Sequence, residues 1–354
     1  MLYNWETVYL GDVCKIKYGK DHKKLLEGNI PVYGTGGIMR YVDTPLYKNK
    51  SVLIPRKGSL GNLYFVDEPF WTVDTLFYTE IDETKILPEF LFYKLKTYDL
   101  ASMNVGSAVP SLTTSVLNAI NIQLPPLSVQ EEIVKVLGII DSKIQNNKKI
   151  NHHLEEMAQA IFKSWFVDFE PFGGMTPRTW KEKIFFDVAK VNYGKNLPTK
   201  NLLSKGYRVF GGNGQIGYYT KFLHQKERIL ISCRGAASGT VQLSRPFSFI
   251  TNNSLIINET KDVYFAYLKQ WCLNRQFFDV VTGSAQSQVT VDSLKNITII
   301  LPDSTTLKEF SNIMLPLYSQ IEKNLEENEK LINLRDNLLP KLMSGEILIN
   351  QAAK

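Results

Sequence analysis

Cysteine and histidine are scarce in this 354-residue chain, at three and four residues, and nothing approaches the roughly 18 consecutive apolar residues of a membrane span. Cys14, Cys233 and Cys272 are widely scattered with no Cys-x-x-Cys spacing. That excludes a zinc ribbon or a disulfide framework and leaves three buried thiols. His22 and His224 are isolated, and the adjacent His152 and His153 are not expected to share a helix face, so no metal is expected. The opening stretch carries Glu6 and no signal-peptide run; a cytoplasmic protein without membrane contact follows. Phosphate-binding loops are missing too. The glycine-rich turns match neither G-x-x-x-x-G-K-[ST] nor a G-x-G-x-x-G that opens a helix, so no nucleotide cofactor is expected.

What is present is a sequence written twice. Trp5, Asp12, Val13, Lys15, Tyr18, Gly19 and Lys20 fall on Trp180, Asp187, Val188, Lys190, Tyr193, Gly194 and Lys195. Further along, Gly106-Ser107-Ala108 falls on Gly283-Ser284-Ala285, Thr113 on Thr290, and Leu117, Ile120, Ile122, Leu124 and Pro125 on Leu294, Ile297, Ile299, Leu301 and Pro302. A repeat this long can bury its own core, so it is a duplicated domain and not a solenoid unit. Two related reading heads suit a target with two half-sites.

Between the copies the texture changes. Pro125 and Pro126 force an extended approach, and Ser128 with Glu131 reads as a capping box that starts a helix. Steps of four and three then select Ile133, Leu137, Ile140, Ile144, Asn147, Asn151, Leu154, Ala158, Ile161 and Trp165, a coiled-coil seam. The same seam recurs as Phe310, Met314, Leu317, Ile321, Asn324, Asn328, Leu331, Arg335, Leu338 and Leu342. Closure about a pseudo-twofold axis makes the helices antiparallel and brings Asn147 near Asn328 and Asn151 near Asn324, a polar layer that penalises slipped registers. Solvated seam-edge asparagines are the alternative. Pro316 is expected either to kink the second helix or to move its start to about residue 316. The fold class is therefore mixed α/β: duplicated domains at 1–127 and 171–303, separated by two long antiparallel coiled-coil helices at 128–170 and 304–354.

Charge is uneven. Residues 171–303 hold 17 Lys and Arg against 8 Asp and Glu, whereas residues 1–127 hold 13 of each. Excess positive charge favours a polyanion such as DNA through counterion release; a merely soluble basic face is the alternative. Each copy has an apolar run entering a basic, glycine-rich turn, Val52–Gly61 and Ile229–Gly239, where backbone amides and cations can approach phosphates. The Gly-Ser-Ala loops differ after the shared residues, Val109-Pro110-Ser111 against Gln286-Ser287-Gln288. Gln can read adenine through two hydrogen bonds, so different loops on matching frames suit different half-sites. The candidate DNA contacts are Lys20, Arg40, Arg56, Lys57, Ser59, Ser107 and Ser111 in the first copy. In the second they are Lys195, Asn213, Arg234, Ser238, Ser284, Gln286 and Gln288. Catalytic constellations are missing: no Asn or Asp precedes the prolines of Leu124–Leu127, as an amino-methyltransferase would need, and Pro302-Asp303 lacks a later D/E-x-K nuclease partner.

Three stretches carry a resemblance: Leu124 through Asp141, Gln159–Phe169 and Leu334–Ile347. In combination they make the chain resemble the DNA-specificity subunit of a Type I restriction-modification system over nearly its whole length. The resemblance implies two target-recognition domains that each read half of a bipartite double-stranded DNA site. It implies long helices that space them and dock two methyltransferase subunits, with restriction subunits joining the complex. It implies no catalysis by the chain itself and no cofactor of its own, S-adenosylmethionine binding to the methyltransferases. Leu301-Pro302-Asp303-Ser304 departs from the fuller Leu-Pro-Pro-Leu entry and bears on where the second helix starts. An orphan DNA-binding or scaffold protein of the same fold is the other reading.

Overall fold

The computed structural model describes residues 5–104, 111–283 and 286–347. The repeat is visible in it strand by strand. In the first copy Glu6–Tyr9 (β1) leads through the one-turn helix Leu10–Val13 (α1) into Cys14–Tyr18 (β2). Ile30–Gly34 (β3) and Gly37–Val42 (β4) form a hairpin, followed by Ser51–Pro55 (β5), Tyr64–Val66 (β6), Trp71–Thr72 (β7) and Leu76–Ile81 (β8). Helices Pro88–Leu95 (α2) and Thr114–Asn118 (α3) precede Asn121–Leu124 (β9), and Leu127–Phe166 (α4) is the first long helix.

The second copy repeats that order. Lys181–Ile184 (β10), Phe185–Val188 (α5) and Ala189–Tyr193 (β11) open it, and Tyr207–Gly211 (β12) and Gly214–Tyr219 (β13) make its hairpin. Ile229–Ser232 (β14), Val241–Leu243 (β15), Phe249–Ile250 (β16), Ser254–Glu259 (β17), helix Phe265–Arg275 (α6) and Thr298–Leu301 (β18) follow, before the second long helix Ser304–Ser344 (α7). Sheet order is the same in both: β2-β8-β5-β6 matches β11-β17-β14-β15, β4-β3-β7 matches β13-β12-β16, and β1-β9 matches β10-β18. Every residue of β5 and of β14 is buried. These inner strands are covered on both faces, which is why Val52-Leu53-Ile54 and Ile229-Leu230-Ile231 are unbroken apolar runs and do not alternate.

The chain forms two compact units, residues 1–146 with 328–354 and residues 147–327. Each holds one sheet assembly and a part of both long helices. In the first unit Leu10, Ile54, Phe77, Phe90 and Ile122 pack with Ile133 and Leu137 of α4 and with Leu339, Leu342 and Met343 of α7. Arg335, which breaks the apolar pattern of the seam, is answered there by Asp141: Nη1 donates to Oδ1 at 2.8 Å, and Tyr93 Oη donates to the other carboxylate oxygen at 2.7 Å. In the second unit Phe185, Ile231, Leu255 and Leu268 pack with Ala158 and Phe162 of α4 and with Phe310, Met314 and Tyr318 of α7. Asn147 Nδ2 donates to Glu327 Oε2 at 2.7 Å, and Asn151 lies against Asn324 and Ile321. Positions rise along α4 as they fall along α7, so the two segments in this unit run antiparallel.

The start of the first long helix differs from the sequence expectation. α4 begins at Leu127, so Ser128 lies inside the first turn and Pro126 O accepts from Val129 N and Gln130 N. Next to it Gln130, fully buried, has a tertiary role: it accepts from Leu87 N at 2.8 Å and donates to Pro125 O and Lys85 O. α7 starts at Ser304, twelve positions before Pro316. Asp303 Oδ1 accepts from Thr305 N and Thr306 N at 3.1 and 3.0 Å and caps it. Those amides hold the Asp303 carboxyl below its usual range. Pro316 is exposed, so water can satisfy the carbonyl that loses its partner.

Candidate nucleic-acid interface

In the second copy the basic turn and the Gly-Ser-Ala loop are zipped together by backbone. β14 ends at buried Ser232; Cys233 N then donates to Asn253 O at 3.0 Å, and Cys233 O accepts from Val289 N at 3.1 Å. Arg234 bridges Gln288, and Gly235 N donates to Ser287 O at 3.1 Å. The loop closes on itself through Thr282 and Gln288, each donating its amide to the other's carbonyl at 2.8 Å. Gly283 is required there: its φ is +89°, and a Cβ would lie 2.3 Å from Gln286 O. Arg234, Gln286 and Gln288 are exposed and, with Gly235, Ala236 and Ser287, line a hollow of about 640 Å³. Ser238 is only 5% exposed and its hydroxyl donates to Ser287 O at 2.8 Å. Its expected role as a contact becomes that of a brace beneath the loop.

Two more candidates reach the same neighbourhood. A Cβ on Gly212 would lie 3.8 Å from Arg234 O, so the tip of the β12–β13 hairpin, with exposed Asn213, sits beside the basic turn. Lys195 is exposed at the end of β11; its amide donates to Ile250 O and its carbonyl accepts from Asn252 N. The residue before it must be glycine, because a Cβ on Gly194 would stand 2.2 Å from Thr251 O. The same holds at Gly19, 2.0 Å from Val73 O.

The first copy is built the same way. Lys57 bridges Ser111, Leu112 N donates to Arg56 O at 2.9 Å, and Ser111 N donates to Asn104 Oδ1 at 2.7 Å. Lys20, Lys57 and Ser59 are exposed. Arg56 is engaged within the protein: Nη1 donates to Asp74 O at 3.1 Å and the guanidinium lies 5.2 Å from the centre of the half-exposed Tyr18 ring. Arg40 does not join this group; its Nη2 donates to Leu25 O at 3.2 Å. Ser107 and Ser284 lie outside the described residues.

Sequence reasoning missed the side chains that hold the hairpin tips. Asn62 Nδ2 and Tyr64 Oη both donate to Thr35 O, at 3.2 and 2.8 Å, and Gln242 grips Gly211 and Gly214 in the second copy. No local motif marks them, because they are brought to the tips only by the pairing of β6 and β15 with their neighbours. His152 and His153, taken as unable to share a face, both reach Glu156, at 3.3 and 3.2 Å. Among the described residues no group of three or more His, Cys, Asp or Glu could hold a metal ion, and no helix is long and apolar enough to cross a membrane.

Known proteins are similar to this chain in sequence and in fold. The sequence profile of the family described as Type I restriction modification DNA specificity domain matches residues 3–156 and again 177–331. The Type I restriction enzyme MjaIX specificity subunit of Methanocaldococcus jannaschii is 26% identical, over 86% of this chain and 79% of that protein. The HindI specificity subunit of Haemophilus influenzae is 24% identical, over 81% and 84%. The crystal structure of a Type I restriction-modification S subunit from M. genitalium superposes with a TM-score of 0.65 at 18% identity, covering 96% of both chains, and shares the fold.

Proposed function

The chain belongs to the Type I restriction-modification DNA specificity family, and on that premise we propose that it reads a bipartite double-stranded DNA target with one half-site for each copy. Residues 1–127 and 171–303 act as the two target-recognition domains, and residues 128–170 and 304–354 as spacer helices that dock two methyltransferase subunits. Restriction subunits join through that complex, which works in the cytoplasm. The chain directs the chemistry of these partners and performs none.

One observation carries the reading. Matching frames set a basic turn against the loop that differs between the copies, and the residues that meet there differ: Lys57 with half-buried Ser111 in one, Arg234 with exposed Gln288, beside exposed Gln286, in the other. Phosphate contacts from the cations would set the register on the duplex, and the loop side chains would read base edges. Charge supports the assignment, since residues 171–303 have 17 basic against 8 acidic residues. Methylome sequencing of the host with and without the gene tests it. One bipartite motif should lose methylation on deletion and recover on complementation; an unchanged methylome overturns the reading.

A further inference from the structure

The β12–β13 hairpin tip is held by side chains from three strands of the neighbouring four-stranded sheet. Gln242 of β15 grips it at both ends, Nε2 donating to Gly211 O at 2.7 Å and Oε1 accepting from Gly214 N at 2.6 Å. Ser254 Oγ of β17 also donates to Gly211 O, at 2.9 Å, and Ser232 Oγ of β14 donates to Gly212 O. Both serines are at most 1% exposed. Such bonds to the backbone of a two-residue turn fix its position without touching the side chain it displays. That side chain is Asn213, which is exposed and beside the basic turn.

The same strand position performs the grip in both copies with different chemistry. Gln242 pairs with Leu230 across β14–β15, and Tyr64 pairs with Leu53 across β5–β6, in matching registers. Tyr64 Oη donates to Thr35 O, as does Asn62 Nδ2, while Pro55 and Leu76 pair where Ser232 and Ser254 pair in the second copy. The first tip, Gly34-Thr35-Gly36-Gly37, has no amide side chain to present. Both tips are thus held by polar side chains, but only the second is bonded at Gly211, Gly212 and Gly214 around the displayed Asn213, whereas the first is held at Thr35 O.

Resting on the DNA-reading function above, we propose that Gln242 is a positioning residue for base selection in one half-site: it holds the turn so that Asn213 meets a base edge in one orientation. Asn offers a paired donor and acceptor, and its bidentate geometry toward adenine tolerates little movement. Loosening the turn should blur the choice of base while leaving phosphate contacts from Arg234 and Lys195 in place.

The test uses the full chain assembled with its methyltransferase partners, bound to a library of duplexes with each half-site position randomised. Asn213→Ala changes the displayed side chain alone; Gln242→Leu removes both grips; Gln242→Glu keeps the acceptor for Gly214 N and replaces the donor to Gly211 O and Ser254 Oγ by a carboxylate oxygen. We expect N213A and Q242L to relax the same one or two positions of a single half-site by about 10-fold or more, in line with a bidentate base contact. Q242E, which turns an acceptor toward Gly211 O, should relax the same positions, the other half-site should be unchanged, and the salt slope of binding should be conserved. Melting curves confirm that each variant is folded; should Q242L unfold, N213A and Q242E carry the comparison. Uniform weakening across all sequences by the Gln242 variants, or unchanged selection in N213A, overturns the proposal. A wild-type complex without any sequence preference would instead overturn the DNA-reading function itself.

Discussion

Asn324 Nδ2 donates to Asn151 Oδ1 at 2.7 Å across the two long helices, and both residues are at most 7% exposed. Each has a further partner. Asn151 Nδ2 donates to Ile321 O at 3.2 Å, and Gln320 Nε2 donates to Asn324 Oδ1 at 2.7 Å. A buried amide pair of this kind adds little net stability, but removing one member strands the other.

Asn324→Ala should accordingly cost about 1–3 kcal/mol, the penalty of a buried polar group left without its partner. The double replacement by leucine, N151L with N324L, should recover that loss or exceed wild type, as apolar pairs often do. Urea-unfolding midpoints check both. A single variant as stable as wild type would show that the pair does not restrain the helices.

Lys94 gives the first unit a pH dependence. It is 5% exposed, its Nζ donates to Met343 O at 2.8 Å, and burial lowers its pKa from the usual 10.5 to about 8. Between those values the unfolded chain holds a proton that the folded one has released, so this residue makes stability rise with pH from about 8 to 10.5. Below that window its contribution is flat. The difference between the wild-type and Lys94→Met stability profiles should show the alkaline rise in wild type alone; parallel profiles would count against it.

The exposed cations and the loop glutamines should separate in DNA binding. Lys57→Ala should weaken binding alike on every sequence and flatten the log–log salt slope by about 0.9, the value of one phosphate contact. Gln288→Ala should relax choice at particular bases by roughly 1–3 kcal/mol. Arg56→Ala should also lower the melting temperature, because its guanidinium holds the Asp74 carbonyl and covers Tyr18. Identical salt slopes and base preferences in all three variants would remove the distinction.

Helix length should set the gap between half-sites. Duplicating Asn147–Ile150 adds four residues to α4, about 6 Å at 1.5 Å per residue. The altered complex should keep both half-site sequences and prefer a gap longer by one or two base pairs in methylome sequencing. An unchanged gap in an active insertion variant argues that the helices are not the ruler.

Much of the frame was legible because it is periodic. The duplication appears as matched residues, and the seam appears as spacing. Both signals are read along the chain without knowing which strands pair, and burial of Ile133, Leu137, Phe310 and Met314 follows from the seam. What escaped depends on who pairs with whom. Ser128 looked like a cap, yet Gln130 is drawn to Lys85 and Leu87 by tertiary packing. Ser238 looked like an exposed contact in a glycine-rich turn, yet the turn folds it beneath Ser287. Gln242 is unremarkable in sequence and becomes visible only when β15 is laid beside β14 and the hairpin tip.

The two units differ in how their pieces are ordered along the chain. Residues 147–327 form one unbroken stretch, whereas the other unit joins residues 1–146 to residues 328–354. During synthesis the later unit can therefore close as soon as its own residues have left the ribosome. The earlier one must wait for Leu339, Leu342 and Met343 to fill its core and for the Met343 carbonyl to receive Lys94. A nascent chain thus spends most of its translation with its first reading head made but unsealed. A premature stop anywhere in residues 328–338 would release a molecule with one finished head and one exposed core, a natural substrate for chaperones and proteases.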